Sequence, residues 1–523
     1  LTHPDLADND LVIWALPNPD PKHDSLEQVH ALTQHTLTQL QHWLTRPDTL
    51  TTHLAILTHH AVSTNAHDPA PDLAHAAAWA LIHSAQNEHP GRISLIDADH
   101  TSTTTDTGLI NTLAGLGHTT TEPQLALRNG SAHTPRLTPT TPTQPHTPTW
   151  DPDGTVLITG GTGMLGGLFA EHLITRYGMR HLLLVSRQGL KAPGAAELQQ
   201  RLTDLGAKVT ITACDTSNSD ELAAVLKSIP DQHRLTAVIH AAGVLDDAVL
   251  TELTHAQLDS VLAAKADAAW HLHELTADYD LAAFVLFSSA AATLGNPGQA
   301  NYAAANAVLD ALAYHRPGAT TVAWGPWETP SGMTTHLSQI DHAHITRTSF
   351  TPITNDHGLA VFDAALTQHQ PTLLAAPLNR RTLTRLARRN TLPTVLSALT
   401  TSRPQAASSA SPHTLTTRLA TQTPDQQRHA LIALVASTTA TVLAHRDPTS
   451  LDPDRPFKDL GIDSLTALEL RNALAEHTGQ TLPPTLIFDH PTPTALAQYL
   501  LTLLTPPLIP IRPRPRPPFR RPR

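Results

Sequence analysis

The 523-residue chain has a single cysteine, Cys214, which excludes an intramolecular disulfide framework. It has no apolar run of 18 or more residues and no basic-then-apolar leader, so no membrane helix or secretion signal is expected. The expected location is cytoplasmic. Positive charge is in deficit: Lys+Arg number 34 against 45 Asp+Glu, a net charge of −11. That balance argues against nucleic acid and against anionic membrane as partners. Histidine is abundant at 34 residues, yet no HExxH motif and no paired-cysteine spacing is present, so no metal site is expected. Lysine is scarce, which makes each one conspicuous. The chain opens on Leu1 and is read as a piece of a longer polypeptide.

The length suits roughly three domains of about 150 residues each. Residues 1–150 read as α/β. Short apolar runs at Leu11–Leu16, Leu54–Leu57 and Ile93–Ile96 have strand character, and helical patterns at Leu26–Leu44 and Leu73–Gln86 lie between them. No glycine-rich turn follows these strands, so a nucleotide site is not expected there. Residues 131–150 are rich in Pro and Thr and read as an extended linker. A second α/β run fills 151–395, a linker 396–420, and a small helical domain 421–503. The Pro/Arg-rich tail, 504–523, cannot pack a core and is expected to be disordered.

In the second α/β run, the strand Val156–Ile158 leads into Gly161-x-Gly163-x-x-Gly166 and then a helix. Glycines in that context allow a tight turn, close approach of backbone to a pyrophosphate, and helix packing on the sheet. The helix N-terminus adds N–H donors for phosphate. Gly161, Thr162, Gly163, Leu165 and Gly166 are therefore the expected dinucleotide contacts. The next strand ends in Ser186-Arg187. An arginine there suits the 2′-phosphate of NADP, where an acidic residue would suit NAD. Asp215, after a third strand, is placed for the adenine edge. Ala241, Ala242 and Gly243, after a fourth, let a cofactor lie against backbone.

Reducing a ketone needs a hydride donor, stabilisation of the developing alkoxide and a proton source. Ser289 ends the strand AAFVLFSS, and Tyr302 lies 13 residues on, in GQANYAAAN. A strand end, a loop and a helix can bring both hydroxyls to one carbonyl oxygen. A phenol is a sluggish acid without a nearby cation. One turn after Tyr302 stands Asn306, where a lysine would help. Lys265, in SVLAAKADAAWHLHEL, can supply the ammonium from a neighbouring helix if its side chain reaches the same point. Asn306 would then orient water or ribose. Trp324 and Trp327, in VAWGPWE, either border the nicotinamide or pack. The lid over the substrate is expected within Ser331–Leu359.

This arrangement, with TGGTGMLG, LLLVSRQG, CDTSN, HAAGVLDD, VLAAKADAAWHL, FSSAAATLGNPGQANYAAANAVLDALA and VAWGPW, resembles the ketoreductase domain of modular polyketide synthases. In that relative of the short-chain dehydrogenases, Lys and Asn are exchanged. AAAWALIHSAQNEHPGRISLID and EPQLALRNG resemble the family's structural subdomain, which keeps the sheet without a cofactor; here it looks N-terminally truncated. The resemblance covers residues 10 to 395. It implies Lys265, Ser289, Tyr302 and Asn306 as the catalytic set. It also implies that Leu245, Asp246 and Asp247 mark a B-type enzyme giving a D-hydroxyl. Leu294 agrees, since the opposite stereotype carries Trp there.

Asp463-Ser464 opens a helix in PFKDLGIDSLTALELRNALAEHTG. Ser464 lacks a G-x-S-x-G elbow and a base, and a plain helix cap is the bland reading. Thr423-Pro424-Asp425-Gln426 reads as a capping box opening a helix with Leu431, Leu434, Val435 and Val442 on one face. Leu465 and Leu468 form one stripe of the serine helix, and Ala467, Leu470 and Leu474 the opposite one, which suggests a partner surface. GIDSL and LPPTLIFDHPTPTALAQYL resemble an acyl carrier protein over residues 423–503. The resemblance implies 4′-phosphopantetheine on Ser464, attached by a phosphopantetheinyl transferase.

The fold expected is two tandem α/β Rossmann-like, doubly wound parallel sheets plus a small all-α four-helix carrier domain. The function expected is NADPH-dependent reduction of a carrier-bound 3-oxoacyl thioester. The alternative is a carrier and scaffold segment whose reductase fold binds NADPH without reducing, or only epimerises. The resemblance further implies an upstream ketosynthase and acyltransferase, a downstream module or thioesterase, and a homodimeric synthase.

Overall fold

The computed structural model describes residues 11–18, 22–49, 52–99, 122–140, 148–329, 350–389, 392–400, 412–443, 451–483 and 485–505. The chain divides into two compact units, Leu1–Ala407 and Ser408–Arg523.

In the first unit, β1 (Leu11–Ala15), β2 (His53–His59), β3 (Ile93–Ala98) and β4 (Gln124–Arg128) pair in parallel, in that order. Among the described residues, two helices cross between them, α1 (Ser25–Thr45) and α2 (Leu73–Glu88). Asp24 and Asp72 cap them, their side chains accepting from Glu27 N and His75 N. Residues 131–150 are not linker throughout. β5 (Ser131–His133) folds back antiparallel on β4. Asn129 and Gly130, between them, both take positive φ, 51° and 74°. That is the two-residue hairpin turn which Asn-Gly favours, so the signal was present in the sequence.

The second sheet has seven parallel strands in the order β12-β11-β10-β9-β6-β7-β8. They are β6 (Thr155–Thr159), β7 (His181–Ser186), β8 (Lys208–Ala213), β9 (Leu235–His240), β10 (Ala283–Ser289), β11 (Ala319–Trp324) and β12 (Thr372–Ala375). The helices between them are α3 (Met164–Tyr177), α4 (Ala195–Asp204), α5 (Ser219–Lys227), α6 (His255–Leu262), α7 (Ala268–Leu275), α8 (Ala290–Leu294), α9 (Ala300–His315) and α10 (Asn355–Ala365). The helix α11 (Arg380–Arg389) follows β12. The strand order reverses at β6, which leaves a crevice beyond the carboxyl ends of β6 and β9.

The two sheets share one core. Leu81 and Ile82 of α2 join the same buried cluster as Val308 and Leu312 of α9. The two helices approach closely because small residues line the contact, with Ala80 against Ala303 and Ala307. On the other face of the second sheet, Phe169, Phe287, Trp324, Trp327 and Phe362 form an aromatic cluster. Trp324 and Trp327 both pack within this cluster. The lid region falls largely outside the described residues.

The linker expected at 396–420 is shorter at both ends. A 3₁₀ turn at Thr394–Leu399 buries Leu396 in the first unit. In the second unit, a helix, α12 (Pro412–Ala420), already buries Leu419. Four further helices follow: α13 (Pro424–Val442), α14 (Ser464–Thr478), α15 (Leu486–Asp489) and α16 (Pro493–Leu504). Thr423 and Gln426 form the expected capping box on α13. Ala467, Leu470 and Leu474 are buried along α14, while Leu465 and Leu468 are only partly covered. The tail 506–523 lies outside the described residues. Among those described, no helix is long and apolar enough to cross a membrane.

Candidate active site

Every expected cofactor contact of the second sheet stands at a strand's carboxyl end. The glycine loop joins β6 to α3, and its geometry fits a dinucleotide. A Cβ at Gly166 would meet Gly160 O at 2.4 Å, and one at Gly161 would meet Leu184 Cβ at 2.7 Å. Both clashes involve a packed sheet or backbone, so the loop requires glycine there. Gly163 is the N-cap of α3 and offers no side-chain oxygen, which leaves the first N–H groups of α3 facing the crevice. Thr162 and Leu165 line the same turn, both half-buried. Ser186 ends β7, and its hydroxyl accepts from Gly189 N at 3.1 Å. Arg187 beside it is exposed, and among the described ion pairs it has no acidic partner. Asp215 lies two residues past the end of β8 and accepts from the Ser217 backbone at 3.0 Å. Ala241, Ala242 and Gly243 follow β9, half-buried, across from the glycine loop.

The residues expected to carry the reduction come from three other elements. Ser289 is the last residue of β10 and caps α8, its hydroxyl oxygen accepting from Ala291 N at 3.2 Å. The hydroxyl proton is left to donate elsewhere. Tyr302 lies in the first turn of α9. Burial pushes its phenol up to about 12; Asp247 adds to this, while Asn306 and Ser289 pull the other way. Asn306, one turn on, is fully buried, and its Nδ2 donates to Tyr302 O at 2.7 Å. Its Oδ1 has no partner among the described residues, so it is an acceptor awaiting a donor.

Lys265 enters from the next helix. It is 3% exposed, and its Nζ donates to Phe287 O at 3.0 Å. The same Nζ lies 5.5 Å from the centre of the Tyr302 ring. Burial lowers its pKa to about 8, partly offset by Asp310. The chain around it, Ala263–Asp267, winds as one π turn between α6 and α7. Such a turn shifts the register of a helix and is frequent at functional sites. Nothing in the sequence signals it.

Sequence reasoning missed three polar groups around this set. His240 ends β9 fully buried, with burial holding its imidazole down at about 3. It is therefore neutral, so one nitrogen donates and the other accepts. Nε2 faces Lys265 O at 3.1 Å and must carry the proton; Nδ1 then accepts from Thr159 Oγ1 at 2.7 Å. That oxygen in turn accepts from Ala242 N at 3.3 Å. The chain of bonds ties the glycine-loop strand, the β9 loop and the lysine's helix together. Asp310 follows Asn306 by one turn, and burial pushes its carboxyl up to about 7, with Ser288 and Lys265 opposing. The spacing Tyr302, Asn306, Asp310 puts all three on one helix face, so this one was legible. Glu88, from the other sheet, is the third.

The residues Leu245-Asp246-Asp247 lie beside the start of α9. Asp246 accepts from Gln257 Nε2 at 2.9 Å, and Asp247 from Gln299 Nε2 at 2.7 Å. Neither aspartate caps a helix; Thr254 caps α6. Leu245 and Leu294 are both half-buried.

In the second unit, Asp463 caps α14, accepting from Thr466 N at 2.8 Å. Ser464 is thus the first helical residue and is not needed as the cap. It stands half-buried at the head of the helix.

Three family models match this chain: KR domain over residues 154–329, the Rossmann fold domain of the polyketide synthase extender module SpnB over 2–137, and phosphopantetheine attachment site over 431–500. A solved structure described as A-type ketoreductases from a modular polyketide synthase is 39% identical, with a TM-score of 0.62, over 69% of this chain and 76% of that one. The chain belongs to the modular polyketide synthase family. It is a ketoreductase followed by a carrier domain. Polyketide synthase GfsB of Streptomyces halstedii is 53% identical over 364 residues, 68% of this chain and 6% of that protein. The spectinabilin polyketide synthase system protein NorA' of Streptomyces orinoci is 46% identical over 495 residues, 92% of this chain and 13% of that protein. The ketoreductase and carrier together therefore span a small part of the length of these relatives.

Proposed function

We propose that this ketoreductase reduces a 3-oxoacyl thioester, carried on 4′-phosphopantetheine at Ser464, to the 3-hydroxyacyl thioester with NADPH. The observation that carries the reading is the buried Lys265 ammonium 5.5 Å from the Tyr302 ring centre, beside Ser289 and Asn306. NADPH, when bound, supplies the hydride. The chain's own residues do the rest. The Tyr302 phenol, held up near 12, stays protonated at neutral pH and donates to the carbonyl oxygen as it becomes an alkoxide. Ser289 donates a second hydrogen bond to that oxygen. Lys265 stabilises the phenolate left behind, in a site where burial makes charge interactions strong. Asn306 Oδ1 holds a water or a ribose hydroxyl.

Arg187, exposed and without an acidic neighbour among the described ion pairs, supports NADPH over NADH. The Leu245-Asp246-Asp247 loop and Leu294 support a B-type enzyme and a D-hydroxyl product. The stereotype in the similar structure's title describes that protein and is not transferred here. The arm on Ser464 raises the effective concentration of the acyl chain at the reductase. A phosphopantetheinyl transferase, an upstream ketosynthase and acyltransferase, and a downstream module or thioesterase are the partners this role requires.

NADPH consumption with a 3-oxoacyl N-acetylcysteamine thioester tests the reading, with chiral analysis of the product. Turnover is expected for the native chain, and Tyr302→Phe should abolish it. NADPH binding without turnover would favour the scaffold or epimerising alternative. An L-hydroxyl product would overturn the stereochemical part alone. Intact mass after co-expression with a phosphopantetheinyl transferase, compared with Ser464→Ala, tests the attachment site.

A further inference from the structure

The cofactor-less half of the reductase ends its helix α2 with Asn87-Glu88. A carboxylate in the last turn of a helix faces the negative end of the macrodipole. Glu88 is also fully buried. Such a residue is costly unless strong hydrogen bonds satisfy it. Each oxygen accepts one from a distant loop. Oε2 accepts from Leu250 N at 2.8 Å, and Oε1 accepts from Gly298 N at 3.0 Å. These donors stand 162 and 210 residues further along the chain. One carboxylate therefore spans two loops of the other half.

Both loops border the site. Leu250 follows the Leu245-Asp246-Asp247 loop. Gly298 lies in the turn that opens α9 and so sets where Tyr302 begins. Gly298 takes φ +77° and uses its other backbone group as well, its carbonyl accepting from Ala248 N at 3.0 Å. Gln299 Nε2 reaches Asp247 at 2.7 Å, and Asn301 Nδ2 reaches Asp246 O at 2.7 Å. Asn87, beside Glu88, donates to Leu294 O at 2.7 Å and to Gly295 O. The end of α2 thus reaches three segments near Tyr302: at Leu250, at Leu294–Gly295 and at Gly298.

We propose that Glu88 is a positioning residue for stereocontrol: it fixes the Asp246–Asp247 loop relative to Tyr302, and so which face of the ketone the hydride meets. The cofactor-less half is then part of the stereochemical machinery and not only a support. The proposal rests on the reductase reading above.

The test is Glu88→Gln in the full chain. The amide keeps the shape but turns a donor toward one of the two backbone N–H groups, so one bond is lost. Three readouts are compared with the native chain: NADPH affinity, kcat and KM, and the stereoisomer ratio from a racemic 2-methyl-3-oxoacyl N-acetylcysteamine thioester. The expected result is NADPH affinity within about twofold, kcat reduced about tenfold with KM less affected, and a minor stereoisomer rising to a tenth or more of product. Hydrogen exchange in peptides covering 244–253 and 295–302 should accelerate about tenfold, a readout that needs no turnover. If the native chain does not reduce the thioester, the function reading fails, and the exchange result alone decides whether Glu88 holds the loops. If Glu88→Gln does not fold, Asn87→Ala replaces it, with faster exchange at 294–298 and the same drift in ratio expected. An unchanged ratio in a folded, active variant overturns the proposal, as does unchanged exchange.

Discussion

Replacing Lys265 by methionine should make the reductase more stable and far less active. The lysine's pKa falls from 10.5 to about 8, chiefly through burial. At about 1.36 kcal/mol per unit, keeping the ammonium charged costs the folded state about 3 kcal/mol below pH 8. Methionine matches the stem without the charge. Its cost is the hydrogen bond to Phe287 O, about 1 kcal/mol. The variant should therefore gain about 2 kcal/mol at pH 7, and its Tm should rise by a few degrees. The pH dependence follows from the sign of the shift. Between pH 8 and 10.5 the unfolded chain binds the extra proton, so native stability rises with pH across that window and the advantage of the variant disappears by its upper end. Activity moves the other way. Losing a preorganised charge beside the developing oxyanion should cut kcat by about 10²–10³-fold. Thermal melts of both proteins at pH 7 and near pH 10, with NADPH-consumption assays at pH 7, measure all of this. A variant that keeps its kcat, or one destabilised equally at both pH values, would refute the reasoning.

Three further outcomes are expected. Gly166→Ala places a Cβ 2.4 Å from Gly160 O, which only a backbone shift can relieve, so NADPH affinity measured by fluorescence titration should fall at least about tenfold. Arg187→Ala should lower the preference for NADPH over NADH by about 10–100-fold, read from kcat/KM with each cofactor. His30 sits between Asp259 at 2.9 Å and Asp267 at 3.1 Å. Burial lowers its pKa, but the hydrogen bonds and charges of Asp267 and then Asp259 outweigh that and lift it to about 9. Its folded value is above the unfolded one, so this stabilisation is full below about pH 6.5 and is lost as pH rises through 9. The side chain is 24% exposed, and screening leaves about 1–2 kcal/mol of the shift. A native-minus-His30→Ala difference in denaturant midpoint that does not shrink between pH 6 and pH 10 would refute the pairing.

Much of the fold was written in local pattern. Three strands of the first half and five of the second could be placed from alternation of apolar strands and helices, because each such unit hides its own face. The glycine loop, the serine at the end of β10 and the tyrosine four residues ahead of Asn306 declare themselves by spacing. The Asn-Gly hairpin after β4 was equally readable but was lost inside a Pro/Thr-rich stretch. The linker ends were misjudged because a single buried leucine on each side, Leu396 and Leu419, outweighs a composition that reads as loop.

What the chain alone determined is the set of chemical groups: a phosphate-binding turn, two hydroxyls, an asparagine where a cation was wanted, and a serine at a helix start. Which groups meet was decided by tertiary structure. The π turn that aims Lys265, the neutral His240 joining three segments, and Glu88 spanning loops more than 160 residues distant depend on long-range packing and on the exclusion of water. A carboxylate at the end of an alanine-rich helix reads as a solvated side chain until the loops at Leu250 and Gly298 close over it. Burial then makes its hydrogen bonds to both loops necessary, and no periodicity in the sequence encodes that.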